Sequence, residues 1–166
     1  MSKNKDQKRK AQLAARAKGE SLRFQVKYII KQKGLDLAGL EQELEAELDA
    51  ICQNGLTDDL FALAEIVSGV RRELGFEPEA DKCSLNGTLV PFLLDITSFC
   101  PDSASYLPGL FAAQKPLQVT IAYDNEIRNR VVDWVKAHYE GVTTRLGQPI
   151  LKRQNMVVEF KRVLKG

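Results

Sequence analysis

The sequence predicts a helix-rich α+β domain with a small sheet and a basic N-terminal arm. Three observations carry this prediction. Apolar residues recur at helical spacing over 40–51, 60–74 and 127–138; residues 118–123 alternate strictly; and the first 34 residues are strongly basic. With 166 residues, 44% hydrophobic and 28% charged, the chain can bury one core, so we expect an arm over 1–20 and a single domain over 21–166.

In chain order, residues 1–18 are polar and rich in Lys, Arg, Gln and Ala, and read as disordered or as a frayed helix. A helix follows over 22–33, with Phe24, Tyr28 and Ile29 spaced for its apolar face and Gly34 at its end. Leu40, Leu44, Leu48 and Ile51 mark a second helix over 38–53, closed by Gly55. A third begins with Thr57 or Asp58 as N-cap and carries Leu60, Leu63, Ala64, Val67, Val70 and Leu74 on one face. Residues 75–83, with Pro78, form a connector, after which Ser84 opens a helix through Leu89, Val90, Phe92, Leu93 and Ile96. Residues 98–116 hold three prolines and no periodicity, and read as a loop.

The alternation Gln118-Val119-Thr120-Ile121-Ala122-Tyr123 is a strand with one apolar face. Asp124 is placed to cap a helix lined by Ile127, Val131, Trp134, Val135 and His138, which Gly141 stops. A short strand over 142–146 and a final helix over about 148–164 complete the expectation.

The net charge of +2 conceals an asymmetry: residues 1–34 sum to +9, 35–115 to −11 and 116–166 to +4. A basic arm ahead of an acidic body suits nucleic-acid binding by phosphate neutralisation, with Lys8, Arg9, Lys10, Arg16 and Lys18 as candidate contacts; it suits a solubilising tail equally well. The arm has few aromatics, so no sequence-specific reading is expected from it. No apolar run reaches the roughly 20 residues of a membrane span, and no apolar segment follows the basic start as in a secretory signal. Three scattered cysteines, Cys52, Cys83 and Cys100, make neither a disulfide framework nor a zinc pattern, and the expected compartment is the cytoplasm.

Two segments gain meaning together: Ser84-Leu85-Asn86-Gly87-Thr88-Leu89-Val90-Pro91-Phe92-Leu93-Leu94-Asp95-Ile96-Thr97, and the strand 118–123 followed by a helix from about Arg128. They resemble the palm region of the bacterial DNA polymerase III α subunit, the C-family replicative polymerase. That family has a Gly-Ser-x-x-Gly-Ser-Leu-Val segment opening a helix that faces the nucleotide triphosphate. A Pro-Asp-x-Asp-x-Asp-Phe strand and an Arg-Asp-x-Val-Ile helix follow. Ser84, Gly87, Thr88, Leu89, Val90, Phe92, Leu94, Ile96 and Thr97 fall in register with the first motif; Tyr123, Arg128, Val131, Val132, Val135 and Tyr139 follow the second. The resemblance runs over roughly 38–166: upstream through Glu47, Leu48, Ile51 and Gly55, downstream through Val142-Thr143, Leu151-Lys152, Glu159 and a helix ending Arg162-Val163-Leu164. It implies a nucleotidyltransferase-like palm.

The resemblance also shows what has gone. Polymerisation uses two Mg²⁺ ions held by carboxylates on one face of the strand. Here that face reads Gln118, Thr120, Ala122, and none of these supplies negative charge. No catalytic residue and no metal or other cofactor is therefore expected. The one substitute pair is Asp124 with Glu126, and the capping role of Asp124 is the plainer reading. At the triphosphate end Ser84, Gly87 and Thr88 persist as a degenerate nucleotide site, but Cys83 stands where a glycine is expected and Asp81 adds negative charge. A helix cap at Ser84 and close packing at Gly87 and Thr88 also account for these three residues.

Lys152 and Arg153 are further phosphate-contact candidates against a plain solvated face. His138 and Trp134 read as packed, and Cys83 has no recognisable base beside it. The expected function is a non-catalytic palm-like protein that binds DNA or a replication protein, as a regulator or decoy in replication. The alternatives are a minimal nucleotidyltransferase using displaced carboxylates and a remnant without a role.

Overall fold

The structure is a computed structural model of the chain, describing residues 2–37 and 39–164; the side chains of 2, 3, 11, 12 and 14–16 lie outside the description. It is an α+β fold. A long helix α1 (Ser2–Lys33) leads into α2 (Glu41–Gln53) and α3 (Thr57–Leu74), then a 3₁₀ turn (Ala80–Lys82), a one-turn helix α4 (Val90–Leu93) and a second 3₁₀ turn (Leu110–Ala112). The strand β1 (Leu117–Asp124), helix α5 (Arg128–His138) and strands β2 (Val142–Arg145), β3 (Gln148–Lys152) and β4 (Met156–Val163) follow.

The sheet order is β1-β4-β3-β2, with β1 parallel to β4 and the other two pairings antiparallel. The helix α5 lies between β1 and the β2–β3 hairpin in sequence, which gives the chain length a parallel crossover needs. Val119, Ile121 and Tyr123 of β1 join Val158 and Phe160 of β4, Val131 and Val135 of α5, and Val67 and Val70 of α3 in one continuous core. Leu44, Leu48 and Ile51 of α2 and Leu60 and Leu63 of α3 extend that core under α1. The stripes expected for α2 and α3 are the buried ones, because a helix docked on one side must spend its 3.6-residue period on that side.

Of its two readings the arm takes the helical one: α1 is continuous from Ser2, as suits a stretch of Lys, Arg, Gln and Ala with no glycine before Gly19. Four other expectations need correction. The inner face of α1 is Leu22 and Val26, with Ile29 and Ile30 half-buried, whereas Phe24 and Tyr28 point to solvent. The helix expected from Ser84 shrinks to Val90–Leu93, because Gly87 (φ +92°) and Asp95 (φ +61°) take left-handed backbone at either end.

The final helix expected over 148–164 is instead the β3–β4 hairpin. Val157, Val158 and Phe160 are residues that fit a pleated surface, and β4 has the partner it needs in β1. The downstream part of the polymerase resemblance, which relied on a helix ending at Leu164, loses that support. The cap expected at α3 is also absent: Leu56 occupies the N-cap position, with no side-chain cap.

Candidate functional site

Gln118, Thr120 and Ala122 share the face of β1 opposite Val119, Ile121 and Tyr123, since side chains alternate along a strand. In register beside them stand Val157, Glu159 and Lys161 of β4. The free edge of β1 is closed by the segment before α4. Ser84 N–H donates to Thr120 O at 3.0 Å, Thr120 N–H donates to Ser84 Oγ at 2.8 Å, and Glu79 N–H donates to Ala122 O at 2.8 Å. Ser84 therefore secures a sheet edge and does not cap a helix.

Beside Thr120 and Ala122 lies a surface groove of about 390 Å³ whose charged lining is Lys82, Lys161 and Arg162. Nearby, Arg145 donates to Gln118 Oε1 at 3.0 Å and pairs with Glu159 at 3.6 Å, and Glu159 lies 3.9 Å from Lys161. Around Thr120 and Ala122 the structure thus places a hydroxyl, a methyl, the cations Lys82, Lys161 and Arg162, and one carboxylate, Glu159, which lies 3.9 Å from Lys161. A divalent cation is ordinarily held by several carboxylate oxygens.

Of the substitute pair, Asp124 Oδ1 accepts the backbone N–H of Glu126 at 2.9 Å. The N-cap position of α5 is Ile127, so Asp124 shapes the turn into the helix and does not cap it. Among the described residues no group of three or more His, Cys, Asp or Glu side chains comes together as a metal-ligand set.

At the expected triphosphate end, the backbone amides before and at the start of α4 are already occupied. Glu47 accepts Leu89 N–H at 3.0 Å on each oxygen, accepts Val90 N–H as well, and receives the Tyr106 hydroxyl at 3.2 Å. Burial raises the Glu47 pKa, and its hydrogen bonds from Leu89, Val90 and Tyr106 offset part of that rise. Thr88 is 0% exposed and its hydroxyl donates to Leu85 O at 2.6 Å. Gly87 faces the 98–116 loop, with Leu107 N–H donating to its carbonyl at 2.9 Å. Gly87 and Thr88 thus belong to a packed corner in which the chain's own Glu47 carboxyl takes the backbone amides, while the exposed Ser84 is held at the β1 edge.

The other candidates divide sharply. Lys8, Arg9 and Lys10 are exposed along α1, and the side chain of Arg16 lies outside the described residues. Lys18 is committed to the body, 2.6 Å from Asp58. Lys152 is exposed at the end of β3, while Arg153 lies over the Tyr139 ring and 3.3 Å from the buried Asp59. Cys83 is buried, and that burial pushes its thiol up, against the thiolate form a nucleophile uses. His138 stacks on Trp134 with ring centroids 3.9 Å apart, and the Trp134 ring lies against Gly69.

Sequence reading missed Glu47 and the three groove cations. Glu47 had a signal, because it falls inside the apolar stripe Leu44-Leu48-Ile51. The groove had none, because Lys82, in the turn Ala80–Lys82, is far in sequence from Lys161 and Arg162 of β4. No family model matches the chain, and no curated protein matches it. Among the described residues no helix is long and apolar enough to cross a membrane.

Proposed function

We propose that this chain binds nucleic acid through phosphate contacts on the outer face of its sheet and transfers no nucleotide, as a palm-like protein without its carboxylates. The observation that carries the reading is the groove beside Thr120 and Ala122, lined by Lys82, Lys161 and Arg162. In a polymerase palm this face must be acidic to hold metal; here it attracts the anion directly. Lys and Arg side chains release counterions from a phosphate backbone without reading its sequence. The exposed Lys152 at the end of β3 extends the same surface. A role as regulator or decoy in replication, or a replication protein as partner, rests on the polymerase resemblance alone.

The test is fluorescence anisotropy of labelled single-stranded and duplex DNA with the full-length chain over a salt series. Replacing Lys82 and Lys161 together by Ala should weaken binding and lower the log–log salt slope by about 2, one for each phosphate no longer neutralised. Unchanged affinity and slope would remove the sheet face as the site. Primer extension with Mg²⁺ or Mn²⁺ should give no product; extension abolished by Asp124→Asn would overturn the reading in favour of a transferase.

A further inference from the structure

The outer face of α1 carries two aromatic side chains that the fold leaves uncovered. Phe24 is 74% and Tyr28 54% exposed, whereas Leu22 and Val26 on the inner face are 0% exposed. The two rings lie nearly parallel, 17° apart in plane with centroids at 6.4 Å. That spacing is about twice the roughly 3.4 Å rise per nucleotide of a stacked strand. Neither ring contributes to the core, so the usual reason for two large aromatics in a helix is absent here.

Charge selects the occupant. Residues 1–34 sum to +9, and Lys27 and Lys31 follow the two rings at the i+3 positions. Lys27 is shared with Glu45 at 3.2 Å, while Lys31 is exposed, as are Lys8, Arg9 and Lys10 farther along the helix. An anionic polymer with accessible flat faces satisfies both the rings and the lysines, and that describes a single strand of nucleic acid. A duplex hides its base faces. A lipid surface or a partner helix would call for an unbroken apolar stripe. Between Leu13 and Phe24, however, the outer face of α1 is interrupted by Glu20 and Ser21.

We infer that Phe24 and Tyr28 form a base-stacking platform for single-stranded nucleic acid, with the strand's phosphates met by lysines of the same helix. The inference rests on the reading that the chain binds nucleic acid, but on a different element from the sheet groove. Stacking on the two rings selects unpaired bases and tolerates any sequence, because every base has a π-face.

The test compares an oligothymidylate with a blunt duplex of equal length, using the full-length chain, a Phe24→Ala/Tyr28→Ala variant and the Lys82→Ala/Lys161→Ala variant. The aromatic variant should keep the parent's melting temperature, lose about tenfold or more in single-strand affinity, and bind duplex as the parent does. Single-strand affinity equal to the parent's would overturn the platform, as would an equal loss on the duplex. So would a parent that binds anionic vesicles or associates with itself through these rings but not single strands. If the aromatic variant binds normally and the sheet variant fails, the platform falls and the groove stands. If the sheet variant binds normally and the aromatic variant fails, the groove falls and the platform stands.

Discussion

The Glu47 carboxylate receives the backbone N–H of Leu89 on both of its oxygens at 3.0 Å, joining residues 42 apart in sequence. Val90 N–H and the Tyr106 hydroxyl complete its partners, so α2 is tied to the start of α4 through one buried side chain. Glu47→Ala would strand two amide donors in the core, at a cost of about 1–3 kcal/mol for each buried group left unsatisfied. Glu47→Gln keeps an acceptor and should cost less. Urea unfolding of the three proteins at one pH measures this; an alanine variant as stable as the parent would show that the amides find other partners.

The same carboxyl sets a direction for the pH dependence of stability. Burial, the largest influence, raises its pKa above the ordinary 4.5, against the opposing pull of its hydrogen bonds. The folded chain therefore holds this proton at pH values where the unfolded chain has released it. The stability linked to the group is full below 4.5 and lost as pH rises through the higher folded value. Relative to the parent, Glu47→Gln should gain stability as pH rises out of the acid range, measured by thermal unfolding across a pH series. A gain on moving the opposite way would reverse the assignment.

Gly87 is held at φ +92°, and a Cβ there would sit 2.9 Å from Leu107 Cγ and 3.1 Å from Ser105 O. Gly87→Ala should cost more than about 1 kcal/mol, from left-handed backbone and a clash with the 98–116 loop. Because Glu47 already fills the amides of Leu89 and Val90, deoxynucleoside triphosphate with Mg²⁺ should leave the parent's melting temperature unchanged. A nucleotide-induced rise that Gly87→Ala abolishes would restore a phosphate role to this corner.

Lys152 and Arg153 are adjacent in sequence but should separate by experiment. Arg153 Nε lies 3.3 Å from Oδ1 of the buried Asp59, whose other oxygen accepts Asn155 N–H at 2.9 Å. Arg153→Ala leaves that carboxylate short of a partner and should cost about 1–3 kcal/mol, toward the low end because the arginine is partly exposed. Lys152→Ala should leave stability unchanged and lower the salt slope of DNA binding by about 1. The reverse pattern would exchange the two roles.

How far the fold could be read follows from how many partners each segment needs. The apolar faces of α2 and α3, and the alternation Val119-Ile121-Tyr123, are complete within their own segments, so periodicity finds them. In β4, Met156, Val157 and Val158 are consecutive and all buried, leaving no period to read; only pairing with β1 makes them a strand. On α1 both Phe24-Tyr28 and Leu22-Val26 have helical i, i+4 spacing, and contact with the body decides which pair is buried. At the site, the neutral run Gln118, Thr120 and Ala122 was legible in the sequence. The groove cations beside it were not, because Lys82 meets Lys161 and Arg162 only in three dimensions.

Residues 1–20 should be separable from folding and not from binding. The first fully buried side chain of α1 is Leu22; before it Gly19 lies half-buried against Cys52, and Lys18 makes a half-exposed ion pair with Asp58 worth at most about 1 kcal/mol. Deleting 1–20 should therefore move the melting temperature little. It removes the exposed Lys5, Lys8, Arg9 and Lys10, and if all four meet phosphates the single-strand salt slope should fall by roughly 3. Anisotropy titrations of the truncated and full chains across salt concentrations give that slope directly. A truncated chain with the parent's affinity and slope would show that these lysines stay in solvent, leaving the sheet groove and the helix beyond Leu22 as the whole of the binding surface.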